Sequence, residues 1–168
     1  MVLNFEYSLT QALQNIQAQG YQEMIVHEKE VARDIYSSCE IVERYGIAKH
    51  QLVELINQRY NTTFDQMNWI NQNTDDEVAY FLNEAGSNVL SYSEFKAPFK
   101  FHLWFGLKGF IIGMEQKGKG FKAQEIHQQK LKENQGAAFD FFRSCKNKVF
   151  FDDPNQVKTV FFEFRFNL

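Results

Sequence analysis

The chain is short of the residues that staple or interrupt a fold, and of net charge. Two cysteines, Cys39 and Cys145, stand far apart with no Cys-x-x-Cys pair. That spacing builds neither a disulfide framework nor a structural zinc site, so both thiols read as reduced core residues. The four histidines, His27, His50, His102 and His127, show no metal-ligand spacing such as His-Glu-x-x-His. Basic excess is missing too: 18 Lys and Arg against 21 Asp and Glu leave a formal charge of −3. A general polyanion binder carries the opposite balance, so no nucleic acid partner is expected. No window approaches the roughly 20 apolar residues of a membrane span. The opening residues lack the basic and apolar regions of a secretory signal. A cytoplasmic chain without membrane contact is the expectation, and the sequon Asn61-Thr62-Thr63 then carries no meaning.

What the chain does have is aromatic bulk. Hydrophobic residues make up 44% and aromatics 16%, with 18 Phe among 168 residues. A domain of this length buries about 70% of its unfolded surface, enough to fold without metal or disulfide. One domain over residues 1–168 is expected.

Residues 2–7 alternate as a short strand. A polar helix follows from Ser8 to Gln19, closed by Gly20. The spacing of Met24, Val31, Ile35, Cys39 and Val42 predicts a longer helix over 22–45, stopped at Gly46. Another helix is expected over 49–60, with Leu52, Leu55 and Ile56 inward, and irregular or partly helical chain over 61–73. At Thr74-Asp75-Asp76-Glu77, Thr74 and Glu77 match a capping box that opens a helix ending near Tyr92. Residues 99–104 and 108–114 read as strands around a tight Gly106/Gly109 turn. A loop with glycines and lysines (116–120), a polar stretch (122–135) and an apolar helix (136–145) come next. Strands over 148–151 and 158–166 close the chain, separated by a Pro154-Asn155 turn. This order predicts an α+β two-layer sandwich, with helices on one face of a mixed, mostly antiparallel sheet.

Glu84 and Asn88, four apart on the capped helix, share a face with Glu77, Phe81 and Ser91. On spacing alone they form a solvated stripe; the functional alternative is a carboxylate beside a carboxamide able to ligate a cation. Residues 113–120 nearly spell a Walker A loop, but Gly120 stands where a hydroxyl must hold Mg²⁺. The glycines there serve either an exposed turn or a close backbone approach to a flat ligand.

Taken in order, these segments resemble the GHKL ATPases, above all the anti-sigma-factor serine kinases and the ATPase domains of histidine kinases. Leu82-Asn83-Glu84-Ala85-Gly86-Ser87-Asn88 is similar to the N box. Gln116-Lys117-Gly118-Lys119-Gly120-Phe121 after a strand is similar to the G1 box. Gly136-Ala137-Ala138-Phe139, followed by Arg143, is similar to the G2 box. The likeness spans about residues 75–166, with 22–73 as a helical insertion or extension. Two positions depart from the pattern: Gln116 replaces the adenine-reading aspartate and Ala138 a phosphate-side glycine.

The resemblance implies a Bergerat-like fold binding Mg²⁺ and ATP under a lid over 122–135. Asn88 would hold the metal. Glu84 would orient or deprotonate the attacking hydroxyl of water or a substrate serine, making the protein a serine/threonine kinase or an ATPase. Gln116 would read the base, Gly118, Gly120, Gly136 and Ala138 would line the phosphates, and Lys117 or Lys119 would balance their charge. A protein partner is implied, and a homodimer is open. Two alternatives stand beside it: a degenerate, non-catalytic interaction or adaptor protein of the same fold that binds a partner and not ATP, and an unrelated α+β immunity or inhibitor-type protein.

Overall fold

The computed structural model describes residues 3–32, 38–92, 95–133 and 137–166. In chain order the elements are β1 (Leu3–Asn4), α1 (Leu9–Ile16), β2 (Ala18–Ala32), α2 (Ser38–Tyr60), α3 (Met67–Ile70) and α4 (Glu77–Tyr92). Then come β3 (Phe95–Gly106), β4 (Gly109–Gln116), α5 (Ala123–Glu133), α6 (Ala137–Ser144), β5 (Lys148–Phe151) and β6 (Thr159–Arg165). Six strands form one sheet in the order β1-β5-β6-β4-β3-β2. Every neighbouring pair is antiparallel except β1 with β5. The α+β sandwich is as the sequence predicts.

Alternation along the strands sorts the phenylalanines. Phe99, Phe101 and Phe105 of β3, Phe110 of β4, Phe162 of β6 and Phe151 of β5 turn to one face. There they meet Tyr45, Leu52 and Ile56 of α2, Val78, Phe81 and Leu82 of α4, and Phe142 of α6. Each fully buried aromatic or aliphatic side chain contributes roughly 1.5–3 kcal/mol, so this face supplies most of the hydrophobic stabilisation. Four helices therefore occupy one face, α5 joining through Ala123 and Ile126. The short α1 takes the other, laying Ala12 and Ile16 on Ile111, Phe150 and Phe161.

Several expectations are corrected. Residues 22–32, read as the start of a helical insertion, belong to the edge strand β2, paired along β3 from Ala18↔Gly106 to Ala32↔Phe95. Its first half is exposed on both faces, so it shows no alternation to betray a strand. Gly46 does not stop a helix: α2 runs through it. The buried Tyr45, Ala48, Leu52 and Ile56 on either side of it hold the helix to the core, which outweighs the ~1 kcal/mol that an interior glycine costs. At α1 the Ser8–Gln11 capping box forms, but the helix closes at Gln17 with φ 54°, before Gly20. The start of α4 is capped by Asp76 in place of Thr74: its carboxylate accepts from Ala79 N at 2.9 Å, Asp65 N at 2.8 Å and Asn68 Nδ2 at 2.8 Å. Glu77, freed from the capping box, accepts from the Lys146 and Asn147 amides and from Asn147 Nδ2 at 2.7 Å, tying α4 to the entry of β5. The polar stretch expected to be a lid contains the regular helix α5.

Candidate functional site

Register fixes how the candidate residues lie. Phe99 pairs with Gln116 and Phe105 with Phe110, so the two ends of β4 mark the two ends of the sheet. Helix α4 begins beside the entry of β5, at the Gly109 end. It finishes three residues before β3 starts, at the Gln116 end. The helical turn holding Asn88 and the loop holding Gly118 and Gly120 therefore share one end of the sheet.

What fills the space between α4 and the sheet is aromatic. The Tyr45 ring from α2 stacks on Phe99 at 5.3 Å and Phe101 at 5.6 Å, and its hydroxyl donates to the Leu82 carbonyl. Burial pushes that phenol well above its ordinary pKa, so it stays a neutral donor. Gly86 lies over it: a β-carbon there would overlap the Tyr45 ring. Further along, Phe81 stacks on Phe162 at 5.1 Å. The inner stripe of α4 is core. Glu84 lies off that stripe, half-buried, and its Oε1 accepts the Trp69 indole N–H at 3.3 Å.

The glycine loop is stitched to the turn between β5 and β6. Gln116 N donates to the Lys158 carbonyl at 2.9 Å. Phe121 and Val157 exchange backbone hydrogen bonds at 3.1 and 2.7 Å, and Ala123 N donates to Pro154 O at 2.9 Å. Gln156 Nε2 holds the Lys119 carbonyl at 3.0 Å. Gly118 and Gly120 adopt φ of 122° and 74°, conformations that favour glycine. At Gly120 the close neighbour is the Val157 carbonyl, which a β-carbon would strike. The close backbone approach expected of this glycine exists, and its partner is the chain itself. Lys117 reaches back over the Phe95 ring at 5.6 Å.

A phosphate cradle works through amide N–H groups aimed outward at the anion. Here the amides of Gln116 and Phe121, at either end of the loop, donate to carbonyls of the chain, and Glu84 is taken by Trp69. Those two amides and Glu84 Oε1 are thus engaged within the chain. Gly136 and the side chains of Asn88 and Ala138 lie outside the described residues. Among the described residues no three His, Cys, Asp or Glu side chains group to hold a metal ion. Nor is any described helix long and apolar enough to cross a membrane.

Sequence reasoning overlooked two surfaces. On the sheet face beyond α1, Tyr21 of β2 lies 2.6 Å from His102 Nδ1, and His102 Nε2 lies 2.6 Å from Glu115. Tyr21 also packs on Trp104 at 5.0 Å. With Glu115 accepting the Nε2 proton, Nδ1 is left to accept from the tyrosine. Burial, and then Glu23 and Glu115, raise the Tyr21 pKa, so the phenol remains protonated and donates. The hairpin register, with His102 opposite Gly113 and Glu115 two residues on, carried the signal for this cluster. The second surface is an open groove of about 670 Å³ at the Gly106 end, between β2 and α2. Gln22, Gln58, Arg59 and Phe105 line it, with Tyr60 fastening the hairpin beneath through Gly106 and Gly109 at 2.8 Å. It lies at the opposite end of the sheet from Gln116. No family model and no curated protein matches the chain.

Proposed function

We infer that this chain is a non-catalytic protein-interaction module: it keeps an α+β sandwich similar to a nucleotide-binding one and works by binding a partner protein. The observation that carries this reading is the closed glycine loop, whose flanking amides are spent on Lys158 and Val157 carbonyls. Phosphoryl transfer rests on positioning and charge neutralisation, and these two amides are not open to serve either. Two further features support it. The edge strand β2 is long, and Met67, Trp69 and Ile70 of α3 expose apolar surface, a type of surface that marks protein contacts when contiguous.

A second reading, an ATP-binding protein with Asn88 at Mg²⁺ and Glu84 as the base, is favoured by one observation: the Asn88 turn and the Gln116 loop share an end of the sheet. Isothermal titration with millimolar Mg-ATP separates the two. The module reading expects no saturable heat. Binding that disappears in both Asn88→Ala and Gln116→Ala replaces it with the nucleotide reading.

A further inference from the structure

Strand β2 is the last strand of the sheet, and no described strand pairs with its outer edge. From Ala18 to Glu23 every residue is exposed, and Ile25 is 47% exposed. An open edge is a row of unpaired backbone donors and acceptors, which chains ordinarily protect with lysine, proline or a bulge. Between Gly20 and Ile25 the pairing to β3 is regular, and the stretch holds neither lysine nor proline. Its single charge is Glu23.

The two sides of this edge differ in charge. On the open side stand Tyr21, Glu23 and Ile25, with Glu23 3.3 Å from Lys100 of β3. On the helix side lies the groove, where Arg59 covers the Phe105 ring at 5.1 Å and Gln22 and Gln58 add amide groups. A strand laid along β2 sends alternate side chains to these two sides. Resting on the module reading above, we propose that the edge over residues 20–25 takes up an extended segment of a partner protein by strand addition, with basic residues beside Glu23 and acidic residues toward Arg59. Backbone bonds supply affinity in this mode, and the alternating side chains supply the choice of partner. A second copy suits the edge less well. Two-fold pairing puts both Glu23 side chains on the same side of the joined sheet, where like charges oppose each other.

The test uses fluorescence anisotropy with three labelled eight-residue peptides. The first alternates lysine and valine on one face with glutamate and threonine on the other. The second has the two charge signs exchanged between faces. The third is the first peptide, N-methylated at alternate amides. The first should bind, the N-methylated form should not, and Glu23→Lys should weaken the first at least tenfold while improving the charge-exchanged one. Glu23 is exposed, and circular dichroism confirms that the variant is folded. Failure of the first peptide, equal binding of the N-methylated form, or indifference to Glu23→Lys overturns the proposal. A stable dimer at micromolar concentration that excludes the peptides overturns it in favour of a second copy. If the peptides fail and Mg-ATP also gives no heat, the edge assignment falls and the module reading stands. Saturable Mg-ATP binding removes the reading itself.

Discussion

Glu163 on β6 is 1% exposed, and its surroundings pull in opposite directions. Tyr7 donates to its Oε2 at 2.5 Å, while Oε1 has no hydrogen-bond partner among the described residues and lies 3.9 Å from Arg165 Nε. Burial raises its pKa most; Tyr7, then the charges of Lys148 and Arg165, lower it, and the net shift is upward. The folded protein thus holds this proton more tightly than the unfolded chain does. Its contribution is complete below the ordinary carboxylate pKa of about 4.3 and is lost as pH rises through the folded pKa. Urea midpoints measured across pH 4 to 8 should show Glu163→Gln gaining on the parent as pH rises. A constant gap between the two would contradict this. Gly120 makes a second residue-scale prediction. Its positive φ and the Val157 carbonyl together should make Gly120→Ala cost about 1–3 kcal/mol in denaturant unfolding. A variant as stable as the parent would mean that the loop is not packed as described.

Among the elements, α4 shows how a local signal can be right in kind and misplaced by two residues. Thr74, Asp75 and Asp76 are all good caps, and propensity alone does not choose between them. Tertiary contacts do, because only Asp76 also gathers the Asp65 amide ahead of α3 and Asn68 within it. Asp76→Ala should therefore destabilise by about 2–3 kcal/mol through the lost cap and the orphaned loop donors. Thr74→Ala should stay within about 0.5 kcal/mol. Equal losses in thermal unfolding would restore the Thr74 capping box. The strands β3 to β6 were legible because buried phenylalanines and isoleucines alternate or run continuously there, with turn residues between them. Strand β2 was not, since its first half, exposed on both faces, is held by backbone pairing that leaves no side-chain pattern. Helix α5 was read as a lid because its apolar content is low; Ala123 and Ile126 are enough to seat it.

At the scale of the whole molecule, the α+β sandwich followed from the order of apolar and turn segments, whereas the site depended on side chains that sequence spacing cannot aim. Glu84 and Asn88 do share a helix, and Gln116 and the glycines do follow a strand. Sequence could not reveal that Tyr45, from a segment read as an insertion, fills the gap beneath that helix. Nor could it reveal that the turn between β5 and β6 occupies the amides at the two ends of the loop, Gln116 and Phe121. The closed loop is the central claim, and backbone amide exchange followed by NMR tests it most directly. The account predicts slow exchange at Gln116, Phe121 and Val157 in the protein alone, unchanged by millimolar Mg-ATP. Fast exchange at Gln116 and Phe121 that becomes slow only when Mg-ATP is added would contradict it.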